Sequence, residues 1–220
     1  MKIYIEANIG SGKTTFLNLL KDYNFKNTDL IQEPVDEWVE LKDDNGIDIL
    51  DNFYQDQVKW SFSFQMNSFI SRAHRITENY NSSICFAERS VFTDKNCFAI
   101  NCYETGKMNK IEWDIYTRWH SWLVQKFKLN ADAYIYLRTD PEICLERIKK
   151  RSRTGESNIP LEYLQLLHNK HEEWMKQENV PVLTIDTNKD FDNPTNMNNI
   201  VNMISGFVEK NFGIPLQVTI

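Results

Sequence analysis

The chain alternates short apolar runs with longer amphipathic stretches, and this alternation constrains its fold more than any other feature. The apolar runs have the length of strands: KIYIE (2–6), DLIQE (29–33), SICFAE (83–88), AYIYLR (133–138) and PVLTI (181–185). Runs such as AYIYLR are apolar at successive positions, as expected for strands that are covered on both faces. The pattern predicts βαβ units and an α/β fold with a five-stranded parallel sheet flanked by helices.

The stretches between the strands are predicted to be helices. Their periodicity places them at about 13–22, 53–78, 90–104, 109–127, 140–151, 159–176 and 195–210. The segment 41–52 is rich in Asp and Asn and is predicted to be a loop. A length of 220 residues, 41% of them apolar, is typical of one domain, here spanning 1–220.

The composition excludes several classes of protein. A net charge of −6 argues against a nucleic-acid-binding surface, which would need a basic face. No apolar run approaches the roughly 18 residues of a membrane span, and the first strand follows Met1 almost at once. Four cysteines without a C-x-x-C pair indicate reduced, packed thiols: Cys85, Cys97, Cys102 and Cys144. We therefore expect a cytoplasmic protein without nucleic-acid or membrane partners.

The stretch IEANIGSGKTTF (5–16) lies between the first strand and the first helix. It matches the phosphate-loop pattern G-x-x-x-x-G-K-[ST], except that Ala7 stands where the first glycine belongs. Gly10 and Gly12 can adopt the positive φ that turns backbone N–H groups towards an anion, whereas Ala7 can keep the negative φ of a strand end. The alternative is a glycine-rich turn with an exposed lysine. It is disfavoured because the strand before the loop and the helix after it are the context that a phosphate loop requires.

This loop predicts binding of ATP or another nucleoside triphosphate. Lys13 would reach the β- and γ-phosphates, and the Thr14 hydroxyl would bind Mg²⁺. The loop residues predicted to hold the nucleotide are Asn8, Ile9, Gly10, Ser11, Gly12, Lys13, Thr14 and Thr15.

Two carboxylates lie at the carboxyl ends of predicted strands, where ligands bind in open α/β sheets. Glu33 closes the second strand, and Glu88 closes the third, directly before Arg89. We assign Glu33 as the general base and Glu88 as the metal partner, with Arg89 supplying positive charge at the transferred phosphoryl group. The alternative for Glu88 and Arg89 is a solvated surface ion pair.

The segment RIKKRSR (147–153) carries five basic side chains in an acidic protein. It follows a helix and precedes TGESNIP, so it predicts an arginine-rich lid at about 151–158. Arg147, Arg151 and Arg153 would bind the donor phosphates. The alternative is a solvated helix end whose cations complement the helix dipole.

Several further stretches are similar to those of a known family: EPVDEW (33–38), KWSFSFQ (59–65), AERSVFTDKNCFA (87–99), residues 136–174 and DTNKDF (186–191). With the motifs above, they make the chain resemble the deoxyribonucleoside kinase family from Lys2 to about Phe191. Relatives usually have glycine at the position of Ala7, a departure expected to modulate affinity only. The resemblance implies a P-loop kinase, and it gives Glu33, Glu88 and Arg89 the roles assigned above.

The resemblance also implies roles for further residues, among them three aromatics that would otherwise be read as core. Tyr54 and Glu156 match a pair that holds the deoxyribose 3′-hydroxyl, and Gln65 matches the amide that reads the base edge. Trp38, Phe64 and Phe98 match aromatic residues that enclose the base, while Asp190 and Phe191 lie in a loop beside the donor's base. Arg72 and Asp94 match a pair above the base in members that favour deoxycytidine or purine deoxynucleosides over thymidine.

The sequence therefore predicts a kinase that transfers the γ-phosphoryl group of a nucleoside triphosphate to the 5′-hydroxyl of a deoxyribonucleoside. Glu33, Arg89 and Lys13 are its predicted catalytic residues. Family members are commonly homodimers built on two long helices, here 53–78 and 109–127. A thymidylate-type monophosphate kinase is disfavoured because Glu33 would repel a monophosphate. A nucleotide-binding regulator is disfavoured by the full set of base, metal and lid residues.

Overall fold

A computed structural model describes residues 1–151, 156, 159–189 and 193–217. Its sheet consists of β1 (Lys2–Glu6), β2 (Thr28–Ile31), β3 (Ile84–Glu88), β4 (Ala133–Arg138) and β5 (Val182–Asp186). The strand order is β2-β3-β1-β4-β5, and each neighbouring pair is parallel. The predicted α/β class and five-stranded parallel sheet are confirmed.

The helices connect successive strands and extend the chain beyond β5. They are α1 (Lys13–Lys21), α2 (Val35–Glu40), α3 (Ile49–Gln55), α4 (Gln57–Asn79), α5 (Val91–Thr93), a π-helical segment (Asp94–Ala99), α6 (Ile100–Glu104), α7 (Lys110–Phe127), α8 (Pro141–Arg151), α9 (Leu161–Gln177) and α10 (Pro194–Phe212). None of the described helices has the length and apolar composition required to cross a membrane.

The sequence prediction was wrong about the region before α4. The helix predicted at 53–78 is two helices, because Asp56 has a non-helical backbone and caps α4 by accepting from the Lys59 N–H at 3.1 Å. The loop predicted at 41–52 gives way to α3 at Ile49, where Asp48 caps the helix by accepting from the Asp51 N–H at 2.8 Å. Asp48, one of the residues that suggested a loop, therefore caps a helix.

Two other boundaries differ from the prediction. The strand predicted at 29–33 ends at Ile31, so Glu33 lies two residues beyond β2 and next to Pro34, which has no N–H to continue the ladder. The helix predicted at 90–104 contains the π-helical segment between α5 and α6. Such segments are rare and frequently occur at functional sites, and the hydrophobic periodicity gives no sign of this one.

The central strands β1, β3 and β4 are buried on both faces of the sheet, as their apolar runs predict. Ile3 and Ile5 pack on one face in a core that includes residues of α1 and α10. Tyr4 lies on the opposite face, in a core with residues of α4, α7 and α9. The carboxyl ends of β1 and β3 reach the same edge of the sheet, since Ile5 is paired with Glu88. That edge places the loop after β1 beside the residues that follow β3.

Candidate active site

A cavity of about 590 Å³ opens at the carboxyl edge of the sheet. It collects most of the predicted site residues although they come from distant parts of the chain: Ile9, Gly10, Gly12, Lys13, Thr14, Thr15, Glu33, Trp38, Tyr54, Phe64, Gln65, Arg72, Glu88, Arg89, Asp94, Phe98, Arg147, Arg151 and Glu156. The two ends of the cavity differ, since one is formed by the phosphate-type loop and the other by aromatic side chains.

Two of the predicted residues that the structure describes do not line this cavity. Asn8 and Ser11 are buried within the loop: the Asn8 amide donates to the Leu164 carbonyl at 2.8 Å, and the Ser11 hydroxyl donates to the Asn8 carbonyl at 2.8 Å. Their side chains shape the loop and do not face the cavity. Arg153, Asp190 and Phe191 lie outside the described residues, as do most positions of the predicted lid.

The loop between β1 and α1 has the backbone of an anion site. Gly10 has φ +79° and Gly12 has φ +91°, both in the left-handed region that favours glycine. A Cβ atom on Gly10 would lie 2.4 Å from the Cys144 carbonyl oxygen, so a side chain is also excluded by contact. Ala7 is buried and does not have a positive φ, which is why alanine is accommodated there.

Lys13 is held inside the loop with its amino group against backbone oxygens. Its Nζ donates to the carbonyls of Asn8 at 2.8 Å and Ala7 at 3.3 Å. Burial, followed by the charge of Arg89, lowers the pKa of Lys13 to about 7, and the carboxylates of Glu33 and Glu88 oppose this shift. A polyanion bound in the loop would add negative charge and restore the protonated form.

The carboxylate of Glu33 is shared by two arginines. Arg89 Nη1 lies 2.9 Å and 3.2 Å from its two oxygens, and Arg72 Nη1 lies 3.0 Å from Oε1. Burial would raise the pKa of Glu33, but the guanidinium groups of Arg89 and Arg72 lower it to about 2. Glu33 is therefore an ionised hydrogen-bond acceptor at any physiological pH.

Thr14 and Glu88 supply oxygen atoms between the loop and Glu33. The Thr14 hydroxyl donates to Glu88 Oε1 at 2.8 Å, and Glu88 Oε2 accepts from the Glu33 N–H at 3.4 Å. The described residues contain no cluster of three or more His, Cys, Asp or Glu side chains suited to a metal ion. One hydroxyl and one carboxylate nevertheless fit Mg²⁺, which commonly uses one or two carboxylates together with substrate phosphates.

The other end of the cavity is aromatic. Trp38 meets Phe64 edge to face with ring centroids 5.5 Å apart, and Phe53 stacks on Phe64 at 4.7 Å. Gln65 is buried, yet neither its amide nitrogen nor its amide oxygen has a hydrogen-bond partner among the described residues. Unsatisfied buried amides are costly, so Gln65 is suited to receive a ligand that both donates and accepts.

Arg72 and Asp94 lie together beside this aromatic end. Arg72 Nε donates to Asp94 Oδ2 and Nη2 donates to Oδ1, both at 2.9 Å, which is a bidentate pair. Both side chains are buried. Asp94 is the first residue of the π-helical segment, so this irregular turn places its carboxylate at the cavity.

Tyr54, Glu156 and two arginines of α8 also line the cavity. Arg151 forms an ion pair with Glu156, and Arg147 Nη1 donates to the Ser11 carbonyl at 3.4 Å. Burial and the nearby Glu156 carboxylate raise the pKa of Tyr54, which stays a neutral donor. The α8 arginines therefore contact both the phosphate-type loop and Glu156.

Sequence reasoning missed six residues that line the cavity: Val35, Leu50, Phe53, Ser68, Lys150 and Tyr163. Two of them lie one helical turn after a predicted residue, so the helical period could have found them. Ser68 follows Gln65 by three positions, and Lys150 follows Arg147 by three. Val35 belongs to α2 and Leu50 to the first turn of α3, and neither position lies in a helix that the sequence predicted.

A positive-φ glycine loop at the carboxyl edge of a parallel sheet, facing buried carboxylate and guanidinium groups, defines a P-loop phosphotransferase. The family model of deoxynucleoside kinases matches residues 3–209, and the chain belongs to the deoxynucleoside kinase family. The resemblance seen in the sequence is confirmed, and the protein is an enzyme of the kinase class.

Individual relatives agree with this assignment. Human deoxycytidine kinase is 38% identical over 221 residues, covering 86% of this chain and 85% of the relative. A probable deoxycytidine kinase of Fowlpox virus (strain NVSL) is 35% identical over 217 residues, covering 95% and 88%. Human mitochondrial thymidine kinase 2 is 34% identical over 189 residues, covering 84% and 69%. Relatives with different nucleosides in their names therefore have similar identities to this chain.

Proposed function

We propose that the enzyme transfers the γ-phosphoryl group of ATP, or of another nucleoside triphosphate, to the 5′-hydroxyl of a deoxyribonucleoside. The observation that carries this proposal is the position of the Glu33 carboxylate. Glu33 lines the same cavity as the Lys13 loop and the aromatic residues, and it is bonded to Arg89 and Arg72. An acceptor hydroxyl bound at Glu33 would face the donor's terminal phosphate.

The donor would be held by the loop and by α8. N–H groups around Gly10 and Gly12 are suited to bind phosphate oxygens, with Lys13 adding a cation. Arg147 and Arg151 line the cavity on the side of α8. Mg²⁺, held by Thr14, Glu88 and the donor phosphates, would neutralise phosphate charge.

Glu33 would accept the proton of the 5′-hydroxyl. A carboxylate with a pKa of about 2 is a weak base towards a free hydroxyl, so the proton would move late, after bonding to phosphorus has begun. Before that point Glu33 would orient the hydroxyl by accepting its hydrogen bond. Arg89 also carries a buried Nε without a hydrogen-bond partner among the described atoms, which supports its contact with a phosphoryl oxygen.

Within deoxynucleosides, we propose a preference for deoxycytidine or a purine deoxynucleoside over thymidine. The buried Arg72–Asp94 pair supports this preference, because a thymine 5-methyl group would press against charged groups that cannot part without leaving a buried charge unpaired. Tyr54 and Glu156 would bind the 3′-hydroxyl, and Gln65 would bind the base edge between Trp38, Phe64 and Phe98. The names of several relatives, which are deoxycytidine kinases, support the same choice.

A panel of acceptors tests the proposal. ADP release would be measured with ATP and Mg²⁺ for each of the four deoxynucleosides and for the corresponding monophosphates, with Lys13→Ala as the inactive control. We expect turnover with deoxynucleosides, fastest with deoxycytidine or a purine. Turnover with monophosphates alone would identify a monophosphate kinase, and the absence of ADP release with every acceptor would identify a regulator.

We also propose that the enzyme is a cytoplasmic homodimer that binds its substrates without nucleic-acid or membrane partners. Exposed apolar side chains on α7 support self-association: Ile111 is 71% exposed, Trp122 52% and Trp119 47%. α7 packs beside α4, which exposes Val58 and Ile70. All four cysteines are free and buried, which suits a reducing compartment.

A further inference from the structure

Glu6 is a buried carboxyl group that the reaction described above does not use. It ends β1, directly before the phosphate loop, and its side chain is fully buried. Burial raises the pKa of Glu6, although hydrogen bonds from Ser90 and Thr93 lower it. Buried carboxyl groups are rare unless their hydrogen-bond partners are specific, so the partners of Glu6 indicate what it does.

Both partners belong to the turn that carries Arg89. Glu6 Oε1 accepts from the Ser90 N–H at 2.9 Å, and Glu6 Oε2 accepts from the Thr93 hydroxyl. The preceding N–H group, that of Arg89, donates to the Ile5 carbonyl at 3.0 Å. The end of β1 therefore fixes two successive N–H groups after β3, one through its backbone and one through the Glu6 side chain.

Arg89 itself has an unusual backbone. Its φ is +59°, in the left-handed region that residues other than glycine seldom adopt. This conformation sends its side chain from the end of β3 towards Glu33, where Nη1 binds both carboxylate oxygens, while Nη2 donates to the Ala7 carbonyl at 3.4 Å. Such a conformation persists only where its surroundings determine it.

We propose that Glu6 is a positioning residue for Arg89. Glu6 accepts hydrogen bonds from Ser90 and Thr93 and thereby holds the turn after β3. This turn keeps the Arg89 backbone in the left-handed region and its guanidinium in contact with Glu33. Without these acceptors the Ser90 N–H would be buried without a partner, the turn would relax towards an extended backbone, and Arg89 would leave the phosphoryl-transfer position. The inference rests on the proposed role of Arg89.

The test compares Glu6→Leu, which removes both acceptors, with Glu6→Gln, whose carbonyl can still accept from Ser90 and whose amide can donate to Thr93. We expect Glu6→Leu to lower kcat by about tenfold or more with the donor KM changed less than about threefold, and Glu6→Gln to retain most of the activity. Asp29→Asn is the matched control. The Asp29 carboxylate similarly accepts hydrogen bonds from the Asn81 N–H, the Ser82 N–H and the Ser82 hydroxyl, but it does not line the cavity.

A double-mutant cycle separates positioning from general stability. In an Arg89→Met background, Glu6→Leu should change kcat by less than about twofold, because the group it positions is absent. If the decreases in kcat caused by Glu6→Leu and Arg89→Met multiply in the double variant, the proposal is overturned. A folded Glu6→Leu enzyme with normal kcat would also overturn it, and so would a Glu6→Gln enzyme as impaired as Glu6→Leu. If Arg89→Met alone leaves kcat unchanged, the proposed role of Arg89 fails, and the inference fails with it.

A second pair of variants applies if Glu6→Leu does not fold. Thr93→Val keeps the shape of the side chain and removes one hydrogen bond to Glu6, whereas Thr93→Ser keeps the hydroxyl. We expect Thr93→Val to lower kcat by about threefold or more, Thr93→Ser to stay close to the unmodified enzyme, and the Thr93→Val loss to disappear in the Arg89→Met background. Equal activity of the two folded Thr93 variants would overturn the proposal.

Discussion

Arg72 and Glu33 form a buried ion pair in which Nη1 lies 3.0 Å from Oε1. The same guanidinium forms two hydrogen bonds to the Asp94 carboxylate. One side chain therefore connects the aromatic end of the cavity to the carboxylate proposed to accept the hydroxyl proton. The proposed base recognition and the proposed proton acceptance would therefore be linked through one residue. Substitution of Arg72 should consequently affect turnover as well as the choice of base.

The first prediction concerns Glu33. Glu33→Gln keeps the shape of the side chain but removes the proton acceptor and the charge shared by Arg72 and Arg89, so kcat should fall by about 10² or more with little change in the nucleoside KM. Steady-state kinetics with saturating donor measures this effect. Glu37→Gln is the control, because Glu37 is exposed and pairs with Arg75. A decrease of less than about threefold would exclude general-base catalysis by Glu33.

The second prediction concerns the backbone of the phosphate loop. Ala7→Gly restores the usual pattern and should change kcat/KM for the donor by less than about tenfold, because position 7 does not need a positive φ. Gly10→Ala should reduce kcat/KM far more, since φ is +79° and the added Cβ would meet the Cys144 carbonyl. Both variants should be assayed beside thermal unfolding. A large gain from Ala7→Gly would show that alanine distorts the loop.

The third prediction concerns pH. The pKa of Lys13 is about 7 in the free enzyme, and bound phosphates should raise it. Lys13 is protonated below its pKa, so affinity for the donor should fall as pH rises from about 7 to 9, with proton uptake on binding. Calorimetry in buffers of different ionisation enthalpy measures that uptake. Glu33, with a pKa of about 2, should contribute no loss of activity between pH 8 and about pH 4.

Two variants of Lys13 control this experiment. Lys13→Arg stays charged throughout this pH range, so its residual binding should lose the uptake attributed to Lys13. Lys13→Ala should nearly abolish turnover, because the loop then lacks its cation. An active Lys13→Ala enzyme would contradict the proposed role of the loop, and identical proton uptake by the unmodified enzyme and Lys13→Arg would contradict the assigned pKa.

The fourth prediction concerns self-association. Trp119 and Trp122 meet edge to face at 5.5 Å on the exposed side of α7. The double variant Trp119→Glu with Trp122→Glu should convert a dimer into a monomer, as measured by light scattering after size-exclusion chromatography, because charged groups would be desolvated in the interface. Leu166→Glu changes an exposed apolar residue of α9 and should leave the dimer intact. A monomeric unmodified enzyme would contradict the proposal.

The sheet could be predicted from sequence because each strand is a local apolar run. The strand order could not, since β3 and β4 flank β1 through contacts between distant segments. The same distinction applies to the cavity. Glycine positions in the loop follow from local backbone requirements, whereas the Arg72–Glu33 ion pair joins residues 39 positions apart, and the turn holding Arg89 depends on a buried Glu6 that a strand pattern does not single out.

The last prediction concerns the preferred nucleoside. The double variant Arg72→Met with Asp94→Ala removes the whole buried pair, so neither partner is left as an unpaired charge, which would cost roughly 3–5 kcal/mol. It also makes room for a thymine 5-methyl group. The ratio of kcat/KM for thymidine to that for the preferred deoxynucleoside should rise by at least about tenfold, or about 1.4 kcal/mol.

The quantity to measure is the ratio of the two kcat/KM values. Loss of the Arg72 contact to Glu33 lowers turnover for every nucleoside, so this effect cancels in the ratio. Arg75→Met is the matched control: Arg75 lies one turn further along α4, is paired with Asp36 and Glu37 near the surface, and should leave the ratio unchanged. An unmodified enzyme that already prefers thymidine, or a folded double variant with an unchanged ratio, would show that another part of the cavity selects the base.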